Sequence, residues 1–474
     1  MCTQMQTPTT RTFDVIVIGA GPAGEVVAGH LARRGSKVAL VESHLVGGEC
    51  AFYACMPSKA LLRPAEALAE VRRIPGAAQA VTGALDVNAA LRRRDEVIHD
   101  LDDSQQLPWL EEHKITLIRG HGRLDGERRV RVGEHTYEAR QAVVIAVGSQ
   151  AAMPPIPGLA EAKPWTNREV TTAQSVPSRL AMLGGSAVGV EMAQAYSSLG
   201  AQVTLIEAER RLLPREEPFA GEELRDALLE CGVEIHLGTK ANAVHRDDQG
   251  VTVTLDGGER IGAEEILVAV GRHPLTDHLG LESVGLEPGK SIEVDDNLRV
   301  KGAPWLFAIG DVNGRSLLTH MGKYQARIVT TVIEGGDARA TREAAITPRV
   351  VFTEPQVAAV GFTLQGARDQ GIDARAYDVS TSGTAGASFY GHDTPGTSRL
   401  VFDEDRAVIV GATFTGVDVA EWVHAATIAI VGEVPAERLW EAVPAFPTRS
   451  EIWLKLLEKR QNELSHDPPP PRLN

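Results

Sequence analysis

Only four of the 474 residues are cysteine, aromatic residues make up 5% of the chain, and no apolar run reaches the length of a membrane span. So few cysteines exclude a secreted disulfide scaffold. The first residues, MCTQMQTPTTRT, lack the apolar centre of a signal peptide. The expectation is a cytoplasmic protein with no membrane partner. Basic residues are in deficit, 48 Lys and Arg against 63 Asp and Glu, giving a formal net charge of -15. No basic cluster offsets this, which argues against a nucleic-acid partner. What is present is length and a 43% hydrophobic fraction, sufficient for two or three ordinary globular domains.

An internal repeat organises the chain. VIGAGPAGEVVAGHLARRGSKVALVE, ending at Glu42, recurs without gaps as MLGGSAVGVEMAQAYSSLGAQVTLIE, ending at Glu207. Both copies read as strand, glycine turn, helix, strand. Gly19, Gly21 and Gly24 in the first correspond to Gly184, Ser186 and Gly189 in the second. The first position makes a tight turn, the second lets backbone approach a pyrophosphate, and the third lets the helix pack on the strand. The helix N-terminus then faces the phosphates. Glu42 and Glu207 end the second strands, where a carboxylate can accept hydrogen bonds from ribose hydroxyls. Glu207 would repel a 2′-phosphate and so favours NADH, although Arg210 and Arg211 stand close by. Ser186 places a side chain where the pyrophosphate would approach.

Two more apolar strands, Ala142 to Ser149 and Ile266 to Arg272, include Gly148 and Gly271 and read as the closing strands of the two dinucleotide units. MPPIPG, from Met153 to Gly158, is a proline-rich crossing between them. After Ala345, alternating strands and a helical stretch from Val419 to Val431 suggest an α+β unit, and the tail HDPPPPRLN reads as disordered.

Cys50 and Cys55 stand apart from the isolated Cys2 and Cys231. In a regular helix, Cα atoms five residues apart lie about 8.6 Å from each other, beyond the roughly 4.4 to 6.8 Å of a disulfide. The helix must therefore be distorted for the pair to meet. Gly47 and Gly48 are expected to supply that distortion.

GGECAFYACMPSK, at 47–59, resembles the redox-disulfide signature of the pyridine nucleotide-disulfide oxidoreductases, the family of dihydrolipoamide dehydrogenase, glutathione reductase and mercuric reductase. The resemblance spans residues 13–457. It implies an α/β protein with two Rossmann-like dinucleotide-binding domains and a C-terminal α+β dimerisation domain. The expected boundaries are 12–150 and 273–345 for the FAD-binding parts, 151–272 for the NAD(P)-binding part, 346–461 for the dimerisation domain and 462–474 for the disordered tail. FAD would occupy the first unit and NAD(H) the second. PWLFAIGD resembles the second flavin motif, whose aspartate, here Asp311, hydrogen-bonds the ribitol chain. Lys59 and Glu191 would form an ion pair beside the flavin. Electrons would pass from NADH through flavin to Cys55 and on to Cys50, which attacks a small-molecule acceptor as a thiolate. The protein would be a homodimer with Glu451 of one chain near Cys50 of the other. No metal is implied.

The resemblance fails at one place. The family's His-Pro-Thr-x-x-Glu reads here Phe446-Pro447-Thr448-Arg449-Ser450-Glu451. Phenylalanine accepts no proton, so dithiol chemistry that depends on this base should be slow. Mercuric reductase also lacks that histidine, but it has a C-terminal cysteine pair that is missing here. A quinone or dye reductase is the alternative reading, and a metal-ion reductase a third. Tyr53, His320, His392 and His424 are the remaining candidates for a proton donor. Glu49, beside Cys50, would disfavour its thiolate and is expected to point to solvent.

Overall fold

The computed structural model of the chain describes residues 11–391 and 394–466. Val15, Ile16 and Val17 are fully buried because the strand Arg11–Ile18 lies inside a largely parallel sheet. It runs between Val38–Glu42 and His135–Ile145, with Thr116–Arg119 beyond the first and Ala303–Ala308 beyond the second. The stretch expected to close this sheet is therefore interior. Leu306 and Ala308 have no exposure and pair with Val143 and Ile145, so the late apolar strand covers what would otherwise be an open edge. Helices Pro22–Arg33 and Thr319–Ile333 pack side by side on one face through Val27, Leu31 and Val329.

The second unit repeats the plan on a smaller scale. Its sheet runs in the order Glu234–Leu237, Gln202–Glu207, Arg179–Leu183, Glu265–Val268, and here the last strand does lie at the edge. Ser149–Ala151 and Arg272–Pro274, which lead into and out of this unit, pair antiparallel. The two crossings thus form one ladder.

Residues from Pro348 onward build a five-stranded antiparallel sheet. Helices Val423–Val431 and Ile452–His466 cover it, burying Ala426, Ile430, Ile452, Leu456 and Leu457 against Phe402 and Phe414. The last helix runs to His466, so 462–466, assigned to the disordered tail from composition, are helical instead. Leu456 and Leu457 seat the helix on the sheet, and its polar C-terminal turns continue from that anchor. The rest of that tail, Cys2 and His392 lie outside the described residues. Among those described, no helix is long and apolar enough to cross a membrane.

Candidate active site

The repeat folds into two matching cradles. Gly21 and Ser186 cap their helices with nearly the same backbone, φ −72°, ψ 177° and φ −82°, ψ 179°. Gly19 and Gly184 have positive φ, 102° and 109°, and a Cβ on either would lie 2.4 or 2.5 Å from the carbonyl oxygen of Ala146 or Ala269. On Gly24 or Gly189 it would lie 1.9 or 1.8 Å from the carbonyl of Gly19 or Gly184. A Cβ on Gly21 meets nothing within 4 Å, so that space is free for a ligand at the helix N-terminus. Gly148 and Gly271 also leave open space. The carboxylate of Glu42 accepts the backbone N–H groups of Ala20 and His44, both at 2.7 Å. Glu207 accepts those of Gly185 at 2.5 Å and Glu209 at 2.7 Å. Each cradle therefore fits a dinucleotide, with an oriented acid at its ribose end. In the second, the Ser186 hydroxyl is already donated to Ala269 O at 3.1 Å.

The redox loop begins against the first cradle, since a Cβ on Gly48 would come within 2.7 Å of Gly21 Cα. Gly47 and Gly48 take positive φ and start a short helix, Gly48–Phe52. Contrary to the expectation from sequence, the distortion between the cysteines does not lie at these glycines. The chain breaks at Tyr53 and Ala54, φ −134° and −138°, and a new helix, Cys55–Arg73, starts at the second cysteine. This break brings the two free thiols into hydrogen-bonding contact. The hydrogen bond from Cys50, helped by Thr319 and the charge of Lys59, outweighs burial and lowers Cys55 to about 6. Cys50 is pushed up by the same hydrogen bond, by burial and by the Cys55 charge. Both shifts run in the direction that favours the proton on Cys50 and the thiolate on Cys55. Thr319 Oγ1, in the first turn of its helix, is 3.5 Å from Cys55 Sγ.

Lys59 Nζ lies 2.8 Å from Glu191 Oε2, and Glu191 is 4% exposed. The other carboxylate oxygen accepts Phe352 N–H at 2.9 Å, and the Lys59 ammonium sits 4.7 Å from the centre of the Phe352 ring. Asp311 Oδ2 accepts the Ser149 hydroxyl at 2.5 Å. Burial raises its carboxyl against this bond and the charge of Arg272.

Glu49 does not point to solvent. Its carboxylate accepts Arg168 Nε at 2.6 Å, Arg272 Nη2 at 2.9 Å and Asn167 Nδ2 at 2.9 Å. Burial pushes this carboxyl up, but Arg272 and Arg168 outweigh it and hold it below the usual carboxylate range. Because two arginines neutralise the charge, it is accommodated inside the protein.

The family model described as pyridine nucleotide-disulphide oxidoreductase matches residues 13–327, and that of the same family's dimerisation domain matches 347–457. The chain belongs to that family. It is 32% identical to a dihydrolipoyl dehydrogenase of Thermus scotoductus over 96% of this chain and 99% of the relative. It is 30% identical to a mercuric reductase of Staphylococcus aureus, over 93% of this chain and 81% of the relative. The HOCl-induced flavoprotein disulfide reductase RclA of Escherichia coli, solved as a Cu(II) complex, superposes with a TM-score of 0.84 at 26% identity, covering 95% of this chain and 99% of that one. The protein is accordingly an FAD- and nicotinamide nucleotide-dependent oxidoreductase.

In this pyridine nucleotide-disulphide oxidoreductase, Phe446 is 77% exposed on the dimerisation domain. Glu451 Oε2 is buried without a hydrogen-bond partner among the described residues. No candidate proton donor stands out. Tyr53 bonds His44 Nε2 through its hydroxyl at 2.9 Å, His320 bonds Pro348 O at 2.9 Å, and His424 is exposed. Sequence reasoning missed Thr319, Asn167, Arg168 and Arg272. Arg272 directly follows Gly271 at a strand end, a signal that could have been read. Asn167 carries none.

Proposed function

We propose that this chain carries two electrons from NADH to the Cys50–Cys55 pair and on to a small-molecule acceptor, as a cytoplasmic homodimer related to dihydrolipoamide dehydrogenase. The observation that carries the reading is the break that brings Cys50 to Cys55, with Thr319 3.5 Å from the Cys55 sulfur and Lys59 of the same helix paired with Glu191, in a chain whose C-terminal motif presents Phe446 in place of a base. Gly19, Gly21, Gly24, Glu42, Gly148 and Asp311 would hold FAD. Gly184, Ser186, Gly189, Glu207 and Gly271 would hold the nicotinamide nucleotide. Bound flavin supplies the chemistry that converts hydride into electron pairs for a disulfide. Lys59 keeps a positive charge beside Cys55, and Glu191 fixes that lysine. Cys50 keeps the shared proton and becomes the attacking group when it loses it.

Phe446 favours a second acceptor class. An exposed ring at this position offers an apolar contact and no proton, which suits a quinone better than a disulfide. The test is turnover of the FAD-loaded enzyme with NADH and lipoamide, glutathione disulfide, quinones or mercuric ion. Quinone turnover should exceed lipoamide turnover. A general base is typically worth about 10²- to 10⁴-fold, so Phe446→His should raise the lipoamide rate selectively, by part of that range. Fast wild-type lipoamide turnover that ignores this substitution would overturn the reading.

A further inference from the structure

The break between the cysteines has a local cause. In a continuous helix the carbonyl of Tyr53 would accept the N–H four residues on, but residue 57 is proline and has none. That carbonyl is turned instead to the helix Asn167–Thr172, where Asn167 Nδ2 lies 3.0 Å away and Thr171 Oγ1 3.2 Å away. A buried carbonyl left without a donor would cost about 1–3 kcal/mol. The same Asn167 amide nitrogen also donates to Glu49 Oε2 at 2.9 Å, at the other end of the loop. Arg168, next in that helix, bonds Glu49 and lies 4.8 Å from the centre of the Tyr53 ring. Both ends of the inter-cysteine segment are therefore gripped by one short helix that follows the proline-rich crossing.

We propose that Asn167 and Glu49 are positioning residues of the dithiol. They fix the bend at Tyr53–Ala54 and so hold Cys50 against Cys55. An intramolecular disulfide forms in proportion to the effective concentration of one sulfur at the other, and that falls when the joining segment gains freedom. The Cys50–Cys55 disulfide takes two electrons and two protons from reduced dithiothreitol, giving two thiols and the cyclic dithiothreitol disulfide.

The inference rests on the reading that Cys50 and Cys55 cycle between dithiol and disulfide. Its test equilibrates FAD-loaded wild type, Asn167→Ala, Glu49→Gln and Thr171→Val in dithiothreitol redox buffers. Thiols are then alkylated and counted by mass. Asn167→Ala and Glu49→Gln should shift the equilibrium toward dithiol by about tenfold, equivalent to about 30 mV for a two-electron couple. Thr171→Val should shift it less, because the Thr171 hydroxyl is also 2.7 Å from Asn167 O. Asn167→Ser, which keeps one donor, should recover part of the loss and serves if the alanine variant does not fold. A wild-type transition left within twofold in Asn167→Ala, Asn167→Ser and Glu49→Gln would overturn the proposal alone, even if melting temperatures fell. A wild type with no two-thiol transition would overturn the redox-pair reading as well.

Discussion

The hydrogen bond from Cys50 is the largest influence lowering the Cys55 thiol. As a thiolate Cys55 would give long-wavelength charge-transfer absorbance against oxidised flavin when NADH reduces the enzyme anaerobically, and Cys55→Ser should abolish that band. The thiolate is the deprotonated form, so the band should be present above about pH 6 and fade as pH falls through that value. Thr319→Val removes one hydrogen bond to the sulfur and should move the midpoint upward. Absorbance recorded from pH 4.5 to 8 tests both, and a band indifferent to pH over that range would contradict the assignment. At this scale the sequence was legible where chemistry demands a residue type, as at the cysteines. It misled where a side chain's direction decides its role. Glu49 read as solvent-facing because its two arginines lie more than a hundred residues away along the chain.

The two helix-capping turns separate a ligand's requirement from a fold's requirement. Gly24 is closed off by the carbonyl of Gly19, so Gly24→Ala should destabilise the chain itself by roughly 1–3 kcal/mol, as overpacking does. Gly21 faces open space, and Ser186 already accommodates a side chain with the same backbone angles. Gly21→Ser should therefore leave the melting temperature of the FAD-free protein nearly unchanged while reducing the FAD bound after reconstitution. Equal loss of stability in the two variants would show that both glycines serve packing. The repeat made these elements readable because period, glycine spacing and terminal acid agree with one another. The break at Tyr53 was less readable. The glycines before Cys50 drew the distortion to themselves, whereas Pro57, by lacking an N–H, is what displaces it into the loop.

Several of the most exposed large apolar side chains lie late in the chain. Phe389, Ile428, Val431, Val443 and Phe446 are all at least 47% exposed and belong to the part that matches the family's dimerisation domain. The match to the family's dimerisation domain points to a homodimer, and the expected outcome is a dimer by sedimentation at micromolar concentration. Val443→Glu, at the most exposed of these positions, should weaken association without lowering the FAD content. A stable FAD-loaded wild-type monomer would contradict this. The expectation that Glu451 of one chain lies near Cys50 of the other came from the resemblance alone, because nothing along one chain encodes where a second one sits.

The carboxylate of Glu191 joins three separate stretches of chain: its own helix in the second dinucleotide unit, Lys59 in the redox helix, and the backbone of Phe352, just past the first strand of the C-terminal sheet. A hinge between these stretches would have to part a charge pair whose carboxylate is buried and leave the Phe352 N–H without its acceptor. One carboxylate thus ties the second dinucleotide unit to both of its neighbours, and relative movement of the three stretches is opposed at this point.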